Sequence, residues 1–361
     1  MQKDKGKIST AQAILLYVVI LYTSYTRFAA ISLATEAKQA AWLVPTVSFV
    51  IFMFLAFILN LLLKNFKGLS FMDIIYDVTS KFWGNIIISL YLIWLTLLLA
   101  MQVRFYADQQ ISSIYPNVEI NIFIISMLIL VAIIIRSGIA VIARMSEVIF
   151  LILLFIFVIL MSLSVPTVNI NNLIPISSLD IIPVLKANMG ITRLIYLPYL
   201  LFFSHKFTGT SKFMRYSLYS GILLWSAMTL ITISTIGNLG STLTGRSSYP
   251  FFLVVKNMSI LEAITGFESI LVATWIFSDF IIIAVFTYSI MHLIKSLFKL
   301  REYKPFINIF LVILFFVTWI LGTNKFELET LSSEFVTPIN VMMQVGVPIL
   351  IVLVAKIRGK V

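Results

Sequence analysis

Residues 11–33 read AQAILLYVVILYTSYTRFAAISL, and residues 184–204 read VLKANMGITRLIYLPYLLFFS. Each is long enough to cross a ~30 Å hydrocarbon layer as a helix, which takes about 20 residues at 1.5 Å per residue. Each is also polar where a lipid-facing helix is not. The first carries Tyr22, Thr23, Ser24, Tyr25, Thr26 and Arg27 in a row; the second carries Gly190, Thr192, Arg193, Tyr196 and Pro198. Polar side chains and irregular backbone persist inside a bilayer only where they are buried in protein or line a cavity. These two segments are therefore candidates to enclose one.

Working outward, ten such apolar runs emerge, at 11–33, 40–63, 84–103, 119–135, 139–163, 184–204, 215–237, 267–294, 305–322 and 337–356. The sixth starts on the side opposite to the first, so the chain divides into repeat one, 11–163, and repeat two, 184–356, facing opposite ways. The expected fold is all-α: a polytopic membrane protein forming a single transmembrane domain, with ten transmembrane helices as a 5+5 inverted repeat and helices 1 and 6 broken. Pro198 removes a backbone donor and crowds the preceding turn, which either breaks its helix or kinks it. The first run has no glycine to ease unwinding, and its hydroxyls serve equally as ligand contacts or as bonds between helices.

Composition excludes a soluble enzyme. Of 361 residues, 60% are hydrophobic and 11% charged, against about 45–50% and about 25% in globular proteins; mean hydropathy is +1.05. There is no cysteine, and His205 and His292 have no spacing relation to acidic partners, so no metal site is expected. No HExxH, GxSxG, Walker A or GxGxxG pattern occurs, so neither catalysis nor a cofactor has support. The net charge of +11 orients the chain rather than marking it for nucleic acid. With the N-terminus inside, eighteen Lys and Arg fall on the cytoplasmic side and five outside (Lys38, Arg104, Arg246, Lys256 and Lys325), while Arg27, Lys186 and Arg193 lie in or beside spans. Both termini are expected in the cytoplasm. Glu327, Glu329 and Glu334 crowd the last outer loop, and the basic run 295–304 lies inside. Lys3, Lys5 and Lys7 before an apolar run resemble a signal peptide, but Arg27 interrupts the run and its removal would upset the charge balance of every later loop. The segment is expected to be retained. Residues 69–80 (LSFMDIIYDVTS) are amphipathic, as in a helix lying along the membrane surface.

Arg27 beside hydroxyls can hold a ligand carboxylate, snorkel to the outer surface or join an ion pair. Arg193 lies deeper, and an anion between the two would reconcile their charges. Arg144 and Glu147, three apart, share a face and can neutralise each other. Glu268, Trp275 and Asp279 also share one face. Asp279 is the deepest carboxylate, about 16 Å beyond Glu268, able to carry a proton, bind a cation or pair with a basic residue. Thr337, Asn340 and Gln344 form a polar stripe suited to helix packing. Tyr91, Trp94, Tyr196 and Trp275 can line a pocket or simply pack.

Four stretches carry a resemblance: 104–116 (RFYADQQISSIYP), 138–147 (GIAVIARMSE), 172–187 (NLIPISSLDIIPVLKA) and 249–260 (YPFFLVVKNMSI). In order and spacing they resemble the B subunits of spore nutrient germinant receptors, the spore germination permease family, over nearly the whole chain. The resemblance implies a fold similar to the amino acid, polyamine and organocation transporters, with ligand held between broken helices 1 and 6 and flanked by helices 3 and 8. Carried onto this chain, the ligand-binding set is Tyr22, Ser24, Thr26, Arg27, Tyr91, Thr192, Tyr196, Trp275 and Ser278, with Asp279 as a possible proton or ion site. It further implies a subunit that senses a germinant, often an amino acid, in the spore inner membrane, together with an A subunit and a lipoprotein C subunit. A proton-coupled amino-acid permease using the same pocket is the alternative, and a scaffold for partner subunits a third reading. The chain departs from the transporter pattern in lacking a glycine break in its first helix, in Thr192 where a glutamate is common, and in Gly266 where an arginine is expected.

Overall fold

Peptide groups facing lipid find no water, so each apolar run closes its hydrogen bonds within itself. The computed structural model describes residues 6–258, 266–321 and 332–361, which form helices, the turns and loops between them and one two-stranded parallel bridge. Lys3, Lys5, Lys325, Glu327 and Glu329, which enter the orientation argument, lie outside the described residues, as do Ser259 and Ile260 of the last quoted stretch.

Helix α1 (Thr10–Ser24) runs through a π-helical turn (Tyr25–Ala29) into α2 (Ala30–Ala37). After a 3-10 turn (Lys38–Leu43) come α3 (Val44–Asn65), the short α4 (Phe71–Val78), α5 (Lys81–Ser113), α6 (Ile120–Ser137) and α7 (Ile139–Ser164). Then follow α8 (Ile181–Thr192), a 3-10 segment (Leu197–Lys206), α9 (Phe213–Arg246), α10 (Pro250–Lys256), α11 (Phe267–Leu297) and α12 (Ile307–Ile320). The C-terminal region winds from a π turn (Ser332–Val336) through α13 (Thr337–Val341) and a second π turn (Met342–Gly346) into α14 (Val347–Ile357). Among the described residues seven stretches are long and apolar enough to cross a membrane: Thr10–Asn65, Lys81–Ser113, Ile120–Ser137, Ile139–Thr167, Thr210–Arg246, Phe267–Leu297 and Glu334–Ile357. The first joins two of the sequence runs. The run 305–322 is represented by the 14-residue α12, and the run 184–204 is divided.

Helix α11 is the hub. Its most apolar window is 72% buried, against 28% for α6 and 33% for α7, and it packs on α1, α5, α6 and α7. The outer helices turn Ile122, Ile133, Phe155, Ile309 and Trp319 outward, as expected of surfaces solvated by lipid tails. Ser9 starts α1 with a reciprocal cap: its Oγ accepts the Gln12 N–H at 3.1 Å, and its own N–H donates to Gln12 Oε1 at 2.9 Å. Just before α1, strand β1 (Ile8–Ser9) pairs in parallel with β2 (Phe207–Thr208), directly after the 3-10 segment.

Three expectations need correction. Helix 1 is not broken; it stays wound, with one π turn at Tyr25–Ala29, because its β-branched and aromatic residues cannot relax as a glycine would. The amphipathic segment forms α4, but Phe71, Met72, Ile74, Ile75 and Val78 bury its apolar face against α5, the 3-10 segment and α14 rather than against lipid. Arg144 and Glu147 do not pair. Arg144 is exposed, and Glu147 instead accepts from Gln12 Nε2 at 3.4 Å, which leaves the arginine free to reach water.

Candidate functional site

Helix 6 breaks between α8 and the 3-10 segment, at residues 193–196, where Tyr196 adopts the left-handed conformation (φ 46°). Pro198 stands at the start of the following segment, where a missing N–H costs nothing; the break therefore precedes it. Interrupting a helix inside a bilayer frees peptide groups that must find partners. α13 and the π turn after it supply them. The Tyr196 N–H donates to Gln344 Oε1 at 2.5 Å, and the Arg193 carbonyl accepts from Gln344 Nε2 at 2.8 Å and from Asn340 Nδ2 at 2.6 Å. Asn340 Oδ1 in turn accepts from the Tyr199 hydroxyl (2.6 Å) and Trp94 Nε1 (3.1 Å). The stripe expected to pack helices clamps the break, and freed groups expected to grip a solute are already held.

Helix 1, which stays wound, is gripped from the side instead. The Ser278 hydroxyl of α11 accepts the Thr23 N–H at 3.2 Å and donates to the Val19 carbonyl at 2.6 Å, the two groups that one helical turn joins. One side chain thus bonds to both ends of a helical turn without breaking the helix. Above it, Trp275 Nε1 donates to Thr26 Oγ1 (2.7 Å), Thr26 Oγ1 donates to the Tyr22 carbonyl (2.8 Å), and Thr274 Oγ1 donates to the Tyr22 hydroxyl (3.3 Å). Arg27, fully buried, sends Nη2 to Asp279 Oδ2 at 2.5 Å, and Gln102 Nε2 of α5 donates to the other carboxylate oxygen at 2.9 Å. The guanidinium also lies 5.3 Å from the Trp275 ring and 5.4 Å from Phe28, a cation over two aromatic faces. Its Nε and Nη1 have no hydrogen-bond partner among the described residues.

Beside these elements lies a cavity of about 560 Å³, within the size range of small-molecule sites. Its inner part is lined by Ser24, Gln102, Arg193, Tyr196 and Asn340, and its rim by Glu36, Arg246 and Ser247. Glu36 ends helix 1 in the N-to-C direction, so the mouth faces the side opposite the start of α1. Of the expected ligand contacts, Ser24 and Tyr196 line this space. Tyr22, Thr26, Arg27, Trp275, Ser278 and Asp279 are brought together behind it, at the seam of α1, the π turn and α11. Thr192 turns to Asn188, its hydroxyl donating to that carbonyl at 2.9 Å, and the buried Tyr91 hydroxyl donates to the Met343 carbonyl at 2.7 Å; neither is among the lining residues. Arg193 bonds Thr337 Oγ1 at 3.1 Å and does not meet Arg27.

Sequence reasoning missed Gln102 and Asn188. The first was a lone amide in the apolar run 95–103, a signal that could have been used; the second, whose Oδ1 accepts from Ser48 at 2.5 Å, resembled ordinary interhelical bonding.

Comparison with known proteins adds the lineage. The model of the family described as "Spore germination protein" matches residues 7–327. YfkT of Bacillus subtilis (strain 168), named as a spore germination protein, is 26% identical over 359 residues, covering 95% of either chain. Among solved structures, MhsT in complex with L-phenylalanine superimposes with a TM-score of 0.66 at 13% identity, covering 94% of this chain and 89% of that one. Mhp1, a nucleobase-cation-symport-1 family transporter, gives 0.61 at 12%, covering 95% and 80%. An Eremococcus coleocola manganese transporter gives 0.59 at 14%, covering 98% and 81%. At such identities the likeness establishes a shared fold and nothing of the ligand.

Proposed function

We propose a function from the premise that this chain belongs to the spore germination protein family and is a multi-pass membrane protein with a transporter-type fold. On our reading it is the ligand-sensing membrane subunit of a spore germinant receptor, binding a small polar nutrient such as an amino acid. Its apolar runs are then ten spans in two oppositely oriented halves of five, in the spore inner membrane, with both termini cytoplasmic. A germinant receptor A subunit and a lipoprotein C subunit are its partners.

The observation that carries this reading is the cavity of about 560 Å³ whose inner wall is the break of helix 6, with Ser24, Gln102, Arg193 and Asn340 as polar contacts. A few polar groups converging in a mostly apolar pocket are how small ligands are oriented. Binding triggers a response only if the ligand prefers one of two conformations, and a broken helix held by two side-chain amides is an element able to adopt two. Ser24 and Tyr196 are the proposed direct contacts; Tyr22, Thr26, Arg27, Trp275 and Ser278 set the position of helix 1 behind them.

The transporter-type fold and the buried Asp279 favour a second reading, a proton-coupled amino-acid permease. Against it, both Asp279 oxygens are engaged, by Arg27 and Gln102. Purified protein in lipid nanodiscs, challenged with single amino acids, sugars and salts, is expected to gain thermal stability with at least one, and Ser24→Phe, which fills the pocket, to abolish the gain. No stabilisation by any of them, or an unaltered gain in Ser24→Phe, overturns the sensing site. Accumulation of the stabilising solute in proteoliposomes under a proton gradient would instead establish transport.

A further inference from the structure

Buried polar groups almost always have a hydrogen-bond partner, so a cluster without one marks a place where the protein expects something else. One such cluster lies on α5. Gln109 and Gln110 are 0% and 1% exposed, and both side-chain polar atoms of each amide have no partner among the described residues. Ser113 Oγ, one turn further along, and Glu268 Oε2, in the first turn of α11, are buried in the same condition.

These groups share a seam. Gln102, Tyr106, Gln109 and Ser113 are spaced by four, three and four residues, which puts them on one helix face. Glu268, Val272, Trp275 and Asp279 are spaced alike on α11. The two helices pack against each other and run antiparallel: Tyr91, before Gln102 on α5, and Phe286, beyond Asp279 on α11, both reach the Tyr199–Phe202 stack of the 3-10 segment. The Gln102–Asp279 hydrogen bond sets the register. Counting out from it, Ser113 on α5 and Glu268 on α11 both lie about 16 Å away toward the same end. The large cavity is lined by Leu98, Met101, Gln102 and Phe105 of α5 but not by Tyr106, Gln109 or Ser113; Phe105 packs on Phe28 with ring centroids 4.9 Å apart between the two regions.

We propose that the seam between α5 and α11 binds a file of ordered water, entering beside Glu268 and Ser113 and passing Gln109, Gln110 and Tyr106 to reach Asp279. Water suits this set because an amide offers both donor and acceptor, and a water molecule answers both. The file has a consequence for the ion pair. Separating Arg27 from Asp279 in a dry interior strands two charges; with water at hand the pair can open and close as helix 1 shifts against α11. The hydration site stands whether or not the cavity takes a nutrient.

Hydroxyl-radical footprinting by X-ray radiolysis, on the full-length protein in lipid nanodiscs, tests this directly, because radicals made from bound water label the side chains beside it. Tyr106 is 6% exposed and Tyr25 is 8% exposed, so accessible surface alone predicts similar labelling. The file predicts that Tyr106 is modified about ten-fold faster than Tyr25. Equal rates overturn it. In Gln109→Leu the file predicts slower Tyr106 labelling and a lower melting temperature, because bridging water is lost. A dry unpaired amide predicts the reverse, a higher melting temperature. A raised melting temperature or unchanged Tyr106 labelling in that variant therefore overturns the proposal, and if the variant does not fold, the wild-type footprint decides alone.

Discussion

Asp279→Asn should be among the most damaging single substitutions in this protein, and the reason lies in what it leaves behind. Among the described residues, Arg27 has one carboxylate acceptor, Asp279, and its Nε and Nη1 have no hydrogen-bond partner already. Removing the carboxylate strands a guanidinium whose side chain is 0% exposed. Removing one member of a buried pair typically costs about 3–5 kcal/mol, a factor of at least about 100 in the folded population. Arg27→Gln should cost a similar amount, since Asp279 keeps only the Gln102 amide. The double variant carries no buried charge and retains Gln102 as a partner, so it should be more stable than either single. The assay is a double-mutant cycle on reversible unfolding in mixed detergent micelles. If the double variant's loss equals the sum of the two single losses within about 0.5 kcal/mol, the residues are uncoupled and the reasoning is wrong.

Gln344→Leu should destabilise by about 2–4 kcal/mol in the same unfolding assay, because it orphans the Tyr196 N–H and removes one of two donors to the Arg193 carbonyl. Tyr91→Phe should cost about 1 kcal/mol through loss of the bond to the Met343 carbonyl; since Tyr91 does not line the cavity, the ligand concentration giving half-maximal response should stay unchanged, as measured in spores. Trp275→Phe removes the donor to Thr26 and weakens the ring beneath Arg27, for an expected loss of about 1–2 kcal/mol. Lys360→Ala breaks a bond to Asp77 whose side chains are 35% and 46% exposed, and should change unfolding by less than about 1 kcal/mol.

The helical scaffold was legible because hydropathy reports directly on what a peptide group can tolerate in lipid. The interruptions were harder. Polar clusters at 22–27 and 190–198 located both segments, but whether each stays wound or breaks is tied to partners far away in sequence: the Ser278 hydroxyl for helix 1, and the Asn340 and Gln344 amides for helix 6. Pro198 misled by its prominence; it begins a segment rather than breaking one. Arg27 and Asp279 were each conspicuous as isolated charges, yet nothing local to either names the other across 252 residues. Tyr91 and Thr192 show the same limit, for a side chain's helix does not say which neighbour its hydroxyl will reach.

The small parallel bridge at the N-terminal end of helix 1 constrains how the chain is made. Ile8 and Ser9 pair with Phe207 and Thr208, and the Thr10 hydroxyl donates to the Thr208 carbonyl across a sequence separation of 198. Ile8 and Ser9 therefore wait for a partner that emerges roughly 10–40 s later at 5–20 residues per second. Five apolar runs are synthesised in that interval, so helix 1 has no bridge at its base until the chain has passed Thr208. That edge of the fold closes late, whatever the order in which the helices pack.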